Sequence, residues 1–311
     1  DMEARFVRIN RSPIPTGIDK IDAKDILNGG LGKGEIGVIT APTGVGKSHM
    51  LVNLGCAAIK NGFNVIHYTF ELTETATGLR YDSNICQIPS NQVPERKEEV
   101  IEYYKEHGDK LGKLMIKEYP TGTATVQTLR SHIEKLSLKG FIPQVLIIDY
   151  ADIMRSSRQY DSMRHELKKV YEDLRNLAME KNLPIWTASQ SNRDSANSDI
   201  VGLENMAESY GKAQVADVVI SISRKPAEKA EGFGRLYIAK NRAGRDGIVF
   251  PVKLNTAMSR FSILENSEEM SFMEAKKKNE GDLKALLQKK WKQVSKVEVK
   301  NNNNEKEEGE S

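Results

Sequence analysis

Apolar positions along this chain fall into short runs of strand length, separated by stretches in which they recur every three or four residues. The runs at 35–40, 65–70, 114–118, 145–149 and 184–189 predict strands, and the spacing between them predicts helices. Strands alternating with helices imply an α/β domain with a mostly parallel central sheet and helices on both faces. The clearest helix covers 161–181, where Met163, Leu167, Val170, Leu174, Leu177 and Ala178 form one apolar stripe and Pro184 follows the end. Beyond 217–222 the period becomes two. Runs at 235–242, 248–254 and 258–264, with a glycine-containing turn at 243–247, predict a C-terminal antiparallel hairpin extension. A short amphipathic stretch at 18–27, punctuated by Pro13, Pro15, Gly17, Gly29 and Gly30, precedes the first strand. This divides the chain into an arm at 1–12, an α/β domain at 13–264 and a tail at 265–311. Within the tail, 276–300 hold nine lysines against three acids, and an acidic end follows. It reads as a weak basic helix running into disorder.

Composition narrows the field only slightly. The 311 residues suffice for one large α/β domain with appendages, and no internal repeat of solenoid period breaks the pattern. No apolar run approaches the roughly 18 residues a membrane span needs, so no membrane association is expected. The net charge of +3 leaves any nucleic-acid binding to local patches. Two cysteines, Cys56 and Cys86, and no signal peptide point to a reducing, cytoplasmic setting. The start at Asp1-Met2 reads as a piece of something longer.

The chemistry concentrates where the first strand ends. Ala41-Pro-Thr-Gly-Val-Gly-Lys-Ser48, followed by His49 and a helix-patterned run, is a P-loop with Ala41 in place of the usual first glycine. Gly44 and Gly46 let the backbone curl, so that the loop Ala41, Pro42, Thr43, Gly44, Val45 and Gly46 can turn its successive N–H groups toward phosphate oxygens at a helix N-terminus. Lys47 then reaches the β and γ phosphates of ATP or another nucleoside triphosphate, and Ser48 offers its hydroxyl to Mg²⁺. Asp149 closes the apolar run 145–149 and is the second metal ligand, acting through water. Hydrolysis needs a base for the attacking water, and Glu71, just after the second strand, is the candidate. Gln190, at the end of the fifth strand, can sense the γ-phosphate through a hydrogen bond. The histidines show no metal spacing, and Trp186 reads as core.

Four segments in this order resemble the C-terminal motor domain of DnaB-type replicative helicases, within the RecA-like P-loop ATPases. They are the P-loop, Ile147-Ile-Asp-Tyr-Ala-Asp-Ile-Met154, Ser189-Gln-Ser-Asn-Arg193 and Lys240-Asn-Arg-Ala-Gly244. The resemblance implies a RecA-like core in which Glu71 faces the γ-phosphate. It implies a homo-hexameric ring translocating 5′ to 3′ on single-stranded DNA, with a primase and a helicase loader as partners. Lys240 and Arg242 would then enter the neighbouring subunit's site as β-sensor and arginine finger. DNA would meet loops at 155–161 and 194–212, with Arg193, Glu208, Ser209, Gly211 and Lys212 as candidate contacts. The loop arginine of related helicases is missing, since the chain reads Ala207-Glu-Ser-Tyr-Gly211 there. The family's N-terminal domain has no counterpart in this sequence, and 1–12 reads as the remnant of its linker. Two other readings remain open: a recombinase-like or clock-type ATPase that acts on DNA without strand separation, and a nucleotide-gated loader or scaffold.

Overall fold

The strand that leads into the P-loop, β1 (Ile36–Ala41), is buried at all six positions and lies inside a nine-stranded sheet. The others are β2 (Val65–Thr69), β3 (Leu114–Glu118), β4 (Val145–Asp149), β5 (Ile185–Gln190), β6 (Val218–Ser223), β7 (Phe233–Asn241), β8 (Val249–Asn255) and β9 (Arg260–Ile263). Their order is β3-β2-β4-β5-β1-β6-β7-β8-β9. The pairs from β3 to β6 are parallel, and β6 to β9 run antiparallel. The expected sheet with its antiparallel extension is therefore present. This architecture comes from a computed structural model that describes residues 11–158, 160–192, 198–206 and 210–264. The chain divides into one unit at 1–263 and a second at 264–311, which lies outside the described residues apart from Leu264.

Among the described residues the helices are α1 (Asp19–Asp22), α2 (Lys47–Lys60), α3 (Glu74–Cys86), α4 (Lys97–His107), α5 (Val126–Leu138), α6 (Met163–Lys181), α7 (Tyr210–Val215) and α8 (Pro226–Ala230). Local chemistry fixes several ends. Thr73 accepts the Ala76 N–H at the start of α3, and Thr125 and Thr128 form a capping box on α5. Asn182 closes α6 in the left-handed conformation.

The sheet separates two apolar layers. Ile39, Trp186, Ile220 and Ile238 face α2, whereas Val38, Ile148 and Ile185 face α5 and α6. Ten consecutive residues of α2, from Met50 to Ile59, are buried, because this helix is covered by the sheet on one side and by α3 and β9 on others. The α6 stripe behaves as its spacing predicts from Leu167 onward, but Met163, the first helical residue, is exposed. The fifth strand starts one residue later than the apolar run: Pro184 has no N–H to donate, and Ile185 is the first residue to donate, to Glu35 O. Arg11, assigned by sequence to the arm, donates to both carboxylate oxygens of Glu35 at 2.8 and 2.7 Å.

Candidate nucleotide-binding site

The P-loop lies between the end of β1 and the start of α2. Gly44 and Gly46 have φ of +71° and +127°, a region L-residues rarely adopt, and a Cβ at Gly46 would come within 2.9 Å of Leu254. Ala41 is tolerated at the first position because it is still the last residue of β1, paired in register with Gln190. Lys47 Nζ donates to Ala41 O at 3.2 Å and Pro42 O at 3.3 Å. Burial lowers the Lys47 pKa, while Glu71, Asp149 and Asp152 act in the opposite direction. The loop amides therefore stand at the positive end of a fourteen-residue helix.

The register of the sheet brings the other predicted groups to the same edge. Asp149 ends β4 and lies beside Thr69, the last residue of β2, so Glu71 follows two residues on. Asp149 is buried, and its pKa is pushed up to about 6, first by burial and then by Glu71, against a hydrogen bond from Ser48 and the charges of Arg80 and Lys47. Its Oδ1 has no hydrogen-bond partner among the described residues. A Ser48 hydroxyl beside a carboxylate with an unused oxygen is the hard-oxygen donor set that suits Mg²⁺ completed by phosphate and water. Gln190 Nε2 donates to Thr43 Oγ1 at 2.6 Å, joining the end of β5 to the P-loop. His49 Nδ1 lies 2.9 Å from Ser259 Oγ. Its pKa falls to about 4 through burial and the nearby Arg80 and Arg224, and it lines the same cleft as the P-loop.

These groups surround a cleft of about 350 Å³ that Lys47, Ser48, Glu71 and Gln190 line together. The cleft also holds Tyr150, from the segment Ile147–Met154, and Arg80, Arg224 and Lys229, which no sequence motif singles out. Arg80 lies on α3 nine positions after Glu71, where the helix places it facing the carboxylates that raise its pKa against burial. A lone arginine at that spacing belongs to no pattern. Arg224, just beyond β6, donates to Val45 O at 3.5 Å and Phe233 O at 2.8 Å.

Lys240 and Arg242 do not line this cleft. Lys240 Nζ donates to Ala213 O, Gln214 O and Ala216 O at 2.6, 3.2 and 2.7 Å, at the C-terminal end of α7. Arg242 donates to Gln214 O at 2.6 Å and approaches Asp217 at 3.5 Å. Burial and the adjacent Arg242 push the Lys240 pKa down to about 8.

The DNA-contact expectation needs a correction at Lys212. Its side chain is 0% exposed and ion-paired with Asp152 at 2.9 Å, so its ammonium is not presented to a phosphate in this structure. A lysine that ends a polar loop looks like a surface cation in sequence; here α7 turns it inward against β5. Gly211 precedes it on α7, whereas Arg193, Glu208 and Ser209 lie outside the described residues. Arg155 and Arg158 are exposed. No described helix is long and apolar enough to cross a membrane.

Comparison with known proteins gives a consistent result. Residues 13–263 match the model of the DnaB-like helicase C terminal domain. The DnaB-like replicative helicase of Enterobacteria phage T4 is 31% identical over 207 residues, which are 63% of this chain and 43% of that protein. The replicative DNA helicase DnaB of Leifsonia xyli is 26% identical over 243 residues, 74% of this chain and 52% of its own length. The chain thus spans about half the length of these curated relatives. Among solved structures, one described as an ATPase domain superposes with a TM-score of 0.71 at 18% identity, covering 85% of this chain and 95% of that one. A DnaB-like replicative helicase described with its interactions with primase gives 0.71 at 17%, covering 85% and 65%. With the P-loop, the Asp149 strand end, Glu71 and the antiparallel extension inside the matched span, this chain belongs to the DnaB-like helicase C-terminal domain family.

Proposed function

We propose that this chain is the ATP-driven motor of a replicative DNA helicase, working as a homo-hexameric ring that translocates 5′ to 3′ on single-stranded DNA in the cytoplasm. The observation that carries the reading is the meeting of Lys47, Ser48, Asp149, Glu71 and the Gln190–Thr43 bond at one edge of the sheet. Loop amides and Lys47 bind and orient the triphosphate. Ser48 and, through water, Asp149 would hold Mg²⁺, which would supply neutralisation of phosphate charge when bound. Glu71 accepts a proton from the attacking water, and Gln190 reports the γ-phosphate to the strand end.

Lys240 and Arg242 complete a neighbour's cleft in this reading, which requires them to leave the α7 carbonyls they hold within one chain. Transfer of these two cations between an internal helix end and a neighbouring phosphate links subunit position to turnover. The family match and the order of the four segments support this reading over a recombinase-like or clock-type ATPase and over a scaffold. Primase and a loader are the partners it implies. The test is ATPase activity with Mg²⁺ and single-stranded DNA: DNA-stimulated turnover that Lys47→Ala removes is expected, and undiminished turnover in that variant refutes the assignment. Mixing Lys47→Ala with Arg242→Ala subunits should restore turnover if the arginine acts across the interface.

A further inference from the structure

A fully buried lysine stands out because burying an ammonium is costly unless a carboxylate and further hydrogen bonds surround it. Lys212 has that surrounding. Its Nζ donates to Asp152 Oδ2 at 2.9 Å and Ser189 Oγ at 3.0 Å, and lies 5.9 Å from the centre of the Tyr171 ring. Asp152 sits in the 3-10 turn Ala151–Ile153, three residues after the metal-ligand candidate Asp149. Besides Lys212, Asp152 Oδ2 accepts the Ser189 hydroxyl at 2.9 Å and the Gln190 backbone N–H at 3.1 Å, while Oδ1 accepts the Tyr171 hydroxyl at 2.8 Å.

We infer that Lys212 is a positioning residue for Gln190, acting through Asp152. This deepens the reading of the cleft given above and rests on it. The Asp152 carboxylate fixes Ser189 and Gln190, the last two residues of β5, and from that strand end the Gln190 side chain reaches Thr43. Charge-assisted bonds are shorter and stronger than neutral ones, so the Lys212 ammonium sets the Asp152 orientation more firmly than the neutral donors alone. Lys212 belongs to α7 and closes the segment 194–212 expected to meet DNA. One ion pair thus joins α7 to the strand end whose glutamine touches the P-loop.

The test measures ATP turnover of the full chain for Lys212→Met, Gln190→Ala and both together, with thermal unfolding of each. Lys212→Met should lower kcat about tenfold with KM for ATP changed less than about threefold, and the double variant should be no slower than Gln190→Ala alone. A purely structural contribution would instead multiply with Gln190→Ala and overturn the inference. Binding of a labelled oligo-dT is read across salt concentrations in the same variants. Unchanged affinity and slope are expected, whereas weaker binding with the slope reduced by about one and an unaltered kcat would make Lys212 a phosphate contact. Should Lys212→Met unfold, the paired Asp152→Asn and Lys212→Met chain, which buries no lone charge, carries the same measurement and the same expectation. If Gln190→Ala itself turns over ATP at the wild-type rate, the sensor assignment fails and this inference with it. A Gln190→Ala defect with multiplicative Lys212→Met removes the inference alone.

Discussion

Lys47 and Lys212 are both taken largely out of water, yet they are satisfied differently. Lys47 Nζ is held by two neutral carbonyls of its own loop, with Glu71 and Asp149 acting on it only through their field. Lys212 is matched by a carboxylate and a hydroxyl at hydrogen-bonding distance. A lysine whose charge meets only carbonyl dipoles keeps the capacity to bind an anion, whereas one already paired can position but cannot recruit. The same contrast separates the P-loop cleft from the network at the end of β5, although Gln190 belongs to both.

Breaking the contrast at its recruiting end should have the largest effect. Lys47→Ala is expected to cut ATP turnover at least about a thousandfold, with the melting temperature essentially unchanged, checked by phosphate release and thermal unfolding. At the paired end the consequence is structural first. Asp152→Ala strands a buried ammonium and should cost about 3–5 kcal/mol in urea unfolding, while the doubly neutral Asp152→Asn and Lys212→Met chain should lose far less. Near-equal losses would mean that the two groups do not act as a pair.

His67 gives the third solution, a buried base held neutral. It lies inside β2 with Nδ1 2.9 Å from the Tyr81 hydroxyl, and burial pushes its pKa down to about 3. The unfolded chain then binds the proton near its ordinary value of 6.5 while the folded chain does not. Stability is full above pH 6.5 and is lost as pH falls toward 3. His67→Gln should flatten that part of the stability curve, measured by chemical unfolding at several pH values. The smallest effect belongs to Lys240: removing its bonds to the end of α7 with Lys240→Ala should cost about 1 kcal/mol, read by urea unfolding of the isolated chain.

Much of this was legible in the residues. The alternation of strands and helices, the P-loop, the Asp149 strand end and the Gln190 position follow from local period and motif, because β1, β4 and β5 are buried along their length and β4 and β5 end on polar groups. Arg80 and Arg224 were not legible, since each reaches the cleft by tertiary packing and neither belongs to a spaced motif. The burial of Lys212 is hidden in the sequence for the complementary reason. Its partner Asp152 lies sixty positions earlier, and tertiary packing, with β4 beside β5 and α7 against α6, brings them together. Met163 shows the same limit in miniature: helical spacing assigns a face, but the first residue of α6 is exposed.

The most direct measurement is strand displacement on a forked DNA duplex by the full chain with ATP and Mg²⁺, beside Lys47→Ala. ATP-dependent separation by the wild-type chain, lost in the variant, is the result expected of a ring motor driven from this cleft. ATP turnover without any displacement, under conditions in which six copies assemble on the DNA, would contradict it.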